Sequence, residues 1–178
     1  MADNEAGFTG RLEDAALLRG EGRYTDDLRP AEALHAVFVR APVAFATLRG
    51  LDAGAARAAP GVRAVYTGAD MAELGSVSGA LPQTDRHGQP VRQVHRPVLA
   101  QDQVRHVGEP VAMVVATSLA AAQDAAELVL AEYDPLPPVT TAEAAAAPGA
   151  PQIWPEIPGN LAFDWAGTYK IDAAQADR

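Results

Sequence analysis

The longest regular pattern of apolar and polar positions lies between residues 104 and 133. An apolar run at Val111–Ala116 is typical of a buried strand. Thr117 or Ser118 can then provide a helix N-cap, and apolar residues recur behind it as on one helix face: Leu119, Ala122, Ala126 and Val129. A second strand ends at Tyr133. This strand–helix–strand unit is predicted to form the core.

Shorter patterns on the N-terminal side predict a small helix and three more strands. The helix covers Leu12–Leu18, and the strands cover Leu34–Arg40, Ala46–Leu51 and Val62–Thr67. The stretch 75–98 is rich in glycine, proline and serine, and predicts a long loop of the kind that is often functional or contacts partners. The interleaving of strands and helices indicates an α+β fold, with a mixed sheet and short packed helices.

Three regions follow from these patterns. Residues 1–23 are polar and glycine-rich, which indicates a loosely packed arm, and residues 24–137 hold the predicted strands and the main helix. Residues 138–178 are rich in proline and alanine, which is typical of an extended linker. Within that tail, Asn160–Asp172 has strand character without a later element to pair with. We interpret the tail as a linker and the start of a further domain.

Composition narrows the range of functions. With 48% hydrophobic but only 6% aromatic residues, the core must be aliphatic and alanine-rich. The net charge of −9 disfavours binding to nucleic acid or to anionic membranes. No cysteine is present, which excludes thiolate chemistry and cysteine-held iron–sulfur clusters on this chain. No secretion signal and no apolar segment of ~20 residues is found, so a cytoplasmic location is expected.

No residue can be assigned a catalytic or metal-binding role from the sequence chemistry. The four histidines fit no usual zinc spacing: His35, His87, His95 and His106. Two carboxylate pairs are predicted to serve turns and caps rather than acid–base catalysis: Glu13-Asp14 and Asp26-Asp27. None of the three serines lies in a nucleophile elbow: Ser76, Ser78 and Ser118.

The most informative polar residue is Glu109, which lies between Gly108 and Pro110 at the start of the main strand. One interpretation is a turn in which the Glu109 carboxylate binds loop backbone. The other is that Glu109 faces a ligand or a partner domain. The glycine and proline on either side favour the first interpretation.

Several motifs in one order resemble the N-terminal α/β-hammerhead domain of the molybdenum-binding large subunit in the xanthine dehydrogenase, aldehyde oxidase and carbon monoxide dehydrogenase family. In the N-terminal half they are Arg11-x-Glu13-Asp14, Gly20-x-Gly22-Arg23-Tyr24-x-Asp26-Asp27, Leu34-His35-Ala36, Val39-Arg40-x-Pro42, Pro60-Gly61-Val62 and Val65-x-Thr67. In the C-terminal half they are Arg96-Pro97-Val98-Leu99-Ala100, Val104-Arg105-x-Val107-Gly108-Glu109-Pro110-Val111-Ala112, Ala125-Ala126-Glu127-Leu128 and Tyr133-x-Pro135-Leu136-Pro137.

The resemblance implies a complex that oxidises an aldehyde or an N-heterocycle at molybdopterin-bound molybdenum, with electrons passing through iron–sulfur clusters to FAD. The implied partners are a molybdopterin-binding domain or subunit and the iron–sulfur and FAD subunits. In such proteins the cofactor loops and the catalytic glutamate lie downstream of the hammerhead, so no cofactor or catalytic residue is assigned to this chain. The chain is expected to be a structural or assembly part, inactive alone.

One segment departs from the family pattern, which usually reads Ser-Pro-His-Ala-His-Ala. Here the segment is Ala41-Pro42-Val43-Ala44-Phe45-Ala46, apolar where relatives are polar. We interpret it as a drier packing surface.

Two other hypotheses stay open. The first is a stand-alone hammerhead module that self-associates and acts in binding or as a scaffold, in which residues 160–178 fold back or are disordered. In the assembly hypothesis these residues pair with a partner chain instead. The second is an independent hydrolase that uses His87 or His95.

Overall fold

The computed structural model describes residues 11–28, 30–77 and 83–164. The chain divides into two units, with the boundary between Ala33 and Leu34. The first unit contains helix α1 (Asp14–Leu18) and a 3-10 turn at Thr25–Asp27, which confirms the predicted helix near Leu12–Leu18. The region boundaries predicted at residues 23 and 137 stay predictions.

The second unit contains two three-stranded sheets. The first sheet has the order β1 (His35–Arg40), β5 (Pro110–Ala116), β3 (Val62–Thr67), and the second has the order β4 (Gln103–Val104), β2 (Ala46–Asp52), β6 (Leu130–Pro135). The helices are α2 (Gly54–Ala58), α3 (Leu119–Ala126) and α4 (Ala142–Ala146). The five strands predicted between Leu34 and Tyr133 and the α+β class are confirmed, whereas the strand character predicted for residues 160–172 is not found in residues 160–164, and residues 165–172 lie outside the described residues.

The predicted mixed sheet is corrected in two respects. Every strand pair in the described residues is antiparallel, and the strands lie in two sheets. The reason is the path of the chain after β5. Helix α3 carries it to β6 in the second sheet instead of returning it to a parallel neighbour of β5, as a βαβ crossover would.

The core is aliphatic and alanine-rich, as the composition predicts, and β5 contributes to it from both faces. On one face Ala112 and Val114 pack with Val65, Ala56 and Ala125, which joins α2 and α3 to the first sheet. At the N-terminal end of the opposite face, Val111 packs in a second cluster whose other buried members are Ala41, Ala46, Ala100 and Val104. Alanines at the contacts let helices and strands approach closely. The apolar run of β5 therefore connects the two clusters.

The segment that departs from the family pattern is packed. Ala41, Phe45 and Ala46 are 2%, 7% and 0% exposed, and Val43 packs against the cluster around Val111. The interpretation as a drier packing surface is confirmed.

Helix α3 begins as predicted, with the Ser118 hydroxyl accepting the Ala121 N–H at 3.2 Å. The predicted apolar face is wrong at Leu119, which is 50% exposed, while Ala122 and Ala125 are buried. Leu119 is the first residue of α3. Since helical side chains lean toward the N-terminus, its side chain projects past the end of the helix.

The predicted extended tail is not confirmed for residues 138–164. They contain α4, a 3-10 turn at Pro158–Asn160 and Ile157, which is only 2% exposed. Prolines in this segment flank short turns, and side chains of the core unit contact it. Residues 138–164 therefore do not form an extended linker. The rest of the predicted tail lies outside the described residues. Within those residues, no helix has both the length and the apolar character to cross a membrane.

Candidate functional site

The site is organised around the turn that leads into β5. Gly108 adopts φ +86°, a conformation that glycine allows without strain. Glu109 is 8% exposed, and its carboxylate accepts the backbone N–H of Arg105. The Ala41 N–H donates to the Glu109 carbonyl at 2.9 Å. The interpretation of Glu109 as a carboxylate bound to loop backbone is therefore confirmed.

Arg105, which Glu109 positions, fastens the C-terminal segment to this turn. Its guanidinium lies 4.1 Å from the ring centroid of Trp154, within the range of a cation–π contact. Its Nε donates to the Ile153 carbonyl at 3.3 Å, and a terminal nitrogen donates to the Gln103 side chain at 3.0 Å. Glu109 thus acts on the tail through Arg105.

Asn160 stabilises the same segment through hydrogen bonds of its side chain. It is the one non-glycine residue with positive φ in the described part of the chain, at +54°, a conformation that Asn tolerates better than most residues. Its Oδ1 accepts the Ile153 N–H at 3.0 Å, and its Nδ2 donates to the carbonyls of Ala145 at 3.1 Å and Pro151 at 2.9 Å. We call Arg105, Trp154, Ile157 and Asn160 the tail clasp.

Beyond the clasp the chain runs along the long loop. The N–H groups of Arg86 and Arg92 donate to the carbonyls of Asp164 and Ala162 at 3.0 and 3.3 Å. The guanidinium of Arg86 is 2.8 Å from the Asp164 carboxylate. In its described parts, the loop predicted to contact partners therefore contacts the tail of its own chain.

Asp85 shapes the loop. Its Oδ1 accepts the N–H groups of Gln89 and His87, both at 2.8 Å. The bond from Gln89, followed by that from His87, lowers the pKa of the Asp85 carboxyl below its ordinary value. The ionised Asp85 carboxylate therefore stabilises the turn fully at pH values above the ordinary pKa of a carboxyl group. This stabilisation is lost as the pH falls through the lowered pKa of Asp85.

Two neighbouring grooves of about 410 and 390 Å³ lie beside the clasp. They share Val94, Arg96, Ile153 and Trp154 as lining residues. Arginine, aromatic and aliphatic side chains dominate both grooves. Such a lining suits contact with a chain segment better than bond-making chemistry, which needs a nucleophile beside a base.

The sequence-predicted polar candidates are dispersed. His106 Nδ1 lies 3.6 Å from Glu109, His87 Nε2 lies 3.8 Å from Asp164, and His35 is in β1. Among the described residues, no group of three or more potential metal ligands forms. No reaction step is assigned to these residues.

The remaining candidates have local structural roles. Asp14 and Asp27 accept the N–H groups of Arg11 and Tyr24, both at 2.9 Å, which confirms the predicted turn and cap roles for these two carboxylates. The Ser76 hydroxyl accepts the Arg96 N–H at 2.9 Å. Ser78 lies outside the described residues.

Sequence reasoning did not identify Trp154, Ile157 or Asn160. The turn signal Pro158-Gly159 before Asn160 is visible in the sequence. The partners of the Asn160 side chain are seven to fifteen residues away, a distance that no local pattern encodes.

Replacing Asn160 by alanine is expected to release the segment 151–164. The change removes three hydrogen bonds and leaves a side chain that is strained at positive φ, so a loss of about 2 kcal/mol of local stability is expected. Hydrogen exchange read by mass spectrometry should show faster exchange in peptides covering that segment and little change in β5. Asn160→Gly keeps the backbone conformation accessible without the hydrogen bonds. If the segment is as well protected in Asn160→Gly as in the unmodified chain, the hydrogen bonds of Asn160 do not hold it, which would contradict its role in the tail clasp.

Comparison with known proteins shows which family has this sequence and fold. Residues 19–137 match the family described as "Aldehyde oxidase and xanthine dehydrogenase, a/b hammerhead domain". The nicotine 6-hydroxylase large subunit of Paenarthrobacter nicotinovorans is 45% identical over 126 residues, which are 71% of this chain and 15% of that protein. The xanthine dehydrogenase molybdenum-binding subunit of Escherichia coli O157:H7 is 35% identical over 80% of this chain and 19% of that protein.

Solved structures agree. The quinoline 2-oxidoreductase of Pseudomonas putida 86 superimposes with a TM-score of 0.69 at 44% identity, over 76% of this chain and 17% of that one. The aldehyde oxidoreductase of Desulfovibrio gigas gives a TM-score of 0.70 at 33% identity, over 82% of this chain and 16% of that one. The chain spans less than a fifth of the length of each of these relatives.

The match covers the Gly108–Pro110 turn, β5 and α3, which are the elements that build the core. The resemblance read from the sequence motifs is confirmed. The chain belongs to the a/b hammerhead domain family of aldehyde oxidases and xanthine dehydrogenases.

Proposed function

We propose that this chain is the structural and assembly domain of a molybdenum hydroxylase and has no catalytic activity alone. One observation carries the proposal. In the best-organised site, Arg105 uses its guanidinium to hold Ile153, Trp154 and Gln103, and Glu109 uses its carboxylate to hold Arg105. Their polar groups are engaged in positioning the domain's own chain, which is the work of a scaffold.

The reaction of the proposed complex is the oxidation of an aldehyde or an N-heterocycle at molybdopterin-bound molybdenum. Iron–sulfur clusters and FAD would pass the electrons on. Support comes from the named relatives, which include a molybdenum-binding subunit and a nicotine hydroxylase large subunit. The cofactor would supply the redox chemistry, and this domain would help to place the parts. The partners are the molybdopterin-binding part and the iron–sulfur and FAD subunits.

The regions of the chain and its location are part of the same proposal. Residues 1–23 would serve as an arm, 24–137 as the hammerhead and 138–178 as the connection toward a cofactor-binding domain. The cytoplasmic location stays a prediction, which fractionation of the source cell tests.

A stand-alone, self-associating hammerhead module is the second candidate function. The observation that favours it is the packing of residues 160–164 on the long loop. Folding back of the tail is what this hypothesis predicts for those residues.

Purification from the source cell separates the two candidates. The 178-residue chain carries an affinity tag, the cell's own copy is deleted, and molybdenum, iron and flavin are measured per chain. About one molybdenum per chain, together with a molybdopterin-binding polypeptide identified by mass spectrometry, is the expected result. A chain that purifies as a homo-oligomer without molybdenum would overturn the assembly function and support the stand-alone module.

A further inference from the structure

The first sheet has one face covered by helices and one face that the described helices leave open. Helices α2 and α3 pack on the covered face, where Val65, Ala112 and Val114 are buried. The antiparallel register places two rows of cross-strand neighbours on the opposite face: Phe38, Met113 and Tyr66 in one row, and Ala36, Val115 and Ala64 in the next. Both rows are apolar apart from the tyrosine hydroxyl.

This arrangement is unusual for a sheet with one solvated face. Antiparallel strands of that kind normally alternate apolar residues inside with polar residues outside. Here Met113 and Val115 alternate with the buried Ala112, Val114 and Ala116, so β5 is apolar on both faces. Phe38 is 44% exposed in the centre of β1. A strand with two apolar faces indicates that both become covered.

A depression of about 220 Å³ lies on the open face. It is bounded by β1 and β5 on one side and by the 3-10 turn Ala72–Leu74 and the segment after Pro97 on the other. All its lining residues are apolar: Phe38, Met71, Leu74, Val98, Leu99 and Met113. Leu74 on its edge is 66% exposed.

We infer that this face, centred on Phe38, Met113 and Leu74, is the surface that docks the molybdopterin-binding part of the complex. The inference rests on the proposed function and names where that partner binds. No charged residue lines the depression, so the occupant must present apolar side chains. More than four fifths of the length of the relatives lies outside the part that this chain matches. That large remainder is the available source of an apolar partner surface.

Two exposed leucines provide a matched test. Leu74 lines the depression and is 66% exposed, whereas Leu130 begins β6 in the other sheet and is 65% exposed. The tagged 178-residue chain is purified from the source cell as Leu74→Glu, as Leu130→Glu and unmodified. Because Leu74→Glu would bury a carboxylate against apolar groups, molybdenum per chain should fall at least about tenfold. Leu130→Glu should keep the molybdenum of the unmodified chain.

Phe38→Glu is the second variant, because it lies in the centre of the same face rather than on its edge. Circular dichroism of each purified chain shows whether the fold is retained. Folded Leu74→Glu and Phe38→Glu chains that keep full molybdenum would overturn the docking surface and leave the assembly function standing. An unmodified chain without molybdenum would overturn both. A dimer that Leu74→Glu dissociates while molybdenum is kept would assign the face to a second copy and overturn the inference.

Discussion

Replacing Gly68 by alanine is expected to lower the free energy of unfolding by about 3 kcal/mol, the upper end of the cost of overpacking a core. Gly68 follows β3 and is buried. A Cβ built there would lie 2.9 Å from the carbonyl carbon of Ala100 and 3.1 Å from the Cα of Gln101, with the Ala100 oxygen closer still. These are backbone atoms, which cannot rotate away as a side chain would. Urea unfolding followed by circular dichroism measures the loss.

Gly50→Ala is the matched control for Gly68→Ala. Gly50 lies within β2, and the nearest atom to a Cβ there is the end of the Glu132 side chain at 3.9 Å. Little loss or a small gain in stability is expected, because alanine has less backbone freedom to lose on folding. Equal losses in the two variants would show that the close approach of Ala100 to Gly68 does not matter.

Glu109→Ala is expected to destabilise the chain by about 2 kcal/mol, because it removes the buried acceptor of the Arg105 N–H. The effect should extend beyond the turn. Without that acceptor Arg105 is less firmly positioned, and its contacts with Ile153 and Trp154 weaken. Urea unfolding gives the loss of stability, and hydrogen exchange should show reduced protection in peptides covering residues 151–164.

Two further variants separate the role of the carboxylate. Glu109→Gln keeps an oxygen that can accept the Arg105 N–H, so its loss should be smaller than that of Glu109→Ala. Glu132→Ala changes an exposed glutamate of β6 and is expected to stay within about 0.5 kcal/mol of the unmodified chain. Reduced protection of residues 151–164 in Glu132→Ala as well would show that the effect is not specific to Glu109.

The hammerhead core was predictable because its signals are local. Apolar runs identified β5 and β3, the polar pair Thr117-Ser118 marked the start of α3, and glycine and proline marked the turn around Glu109. Each of these signals depends on residues that are close together along the chain. The exposed side chain of Leu119 shows the limit, since a helical pattern indicates a face but not which of its positions the rest of the fold covers.

The role of Glu109 in its turn was predictable, but its effect on the distant tail was not. The sequence indicates a carboxylate that serves a turn, and the structure confirms it. The link from Glu109 through Arg105 to Trp154 joins residues almost fifty positions apart, and no spacing rule relates them. The tail shows the same limit, because its prolines indicate an extended linker while Asn160 and Arg105 hold it in turns.

The sequence by itself determined the five main strands, helices α1 and α3, the aliphatic core and the family. Hydrophobic period, turn chemistry and ordered motifs are all written along the chain, as the segment from Val104 to Tyr133 shows most clearly. Only the tertiary structure decided that the strands lie in two antiparallel sheets, that the tail packs on the loop and that the described helices leave the face around Phe38 open. Those features depend on which distant surfaces meet, and burial and shape in three dimensions select those contacts.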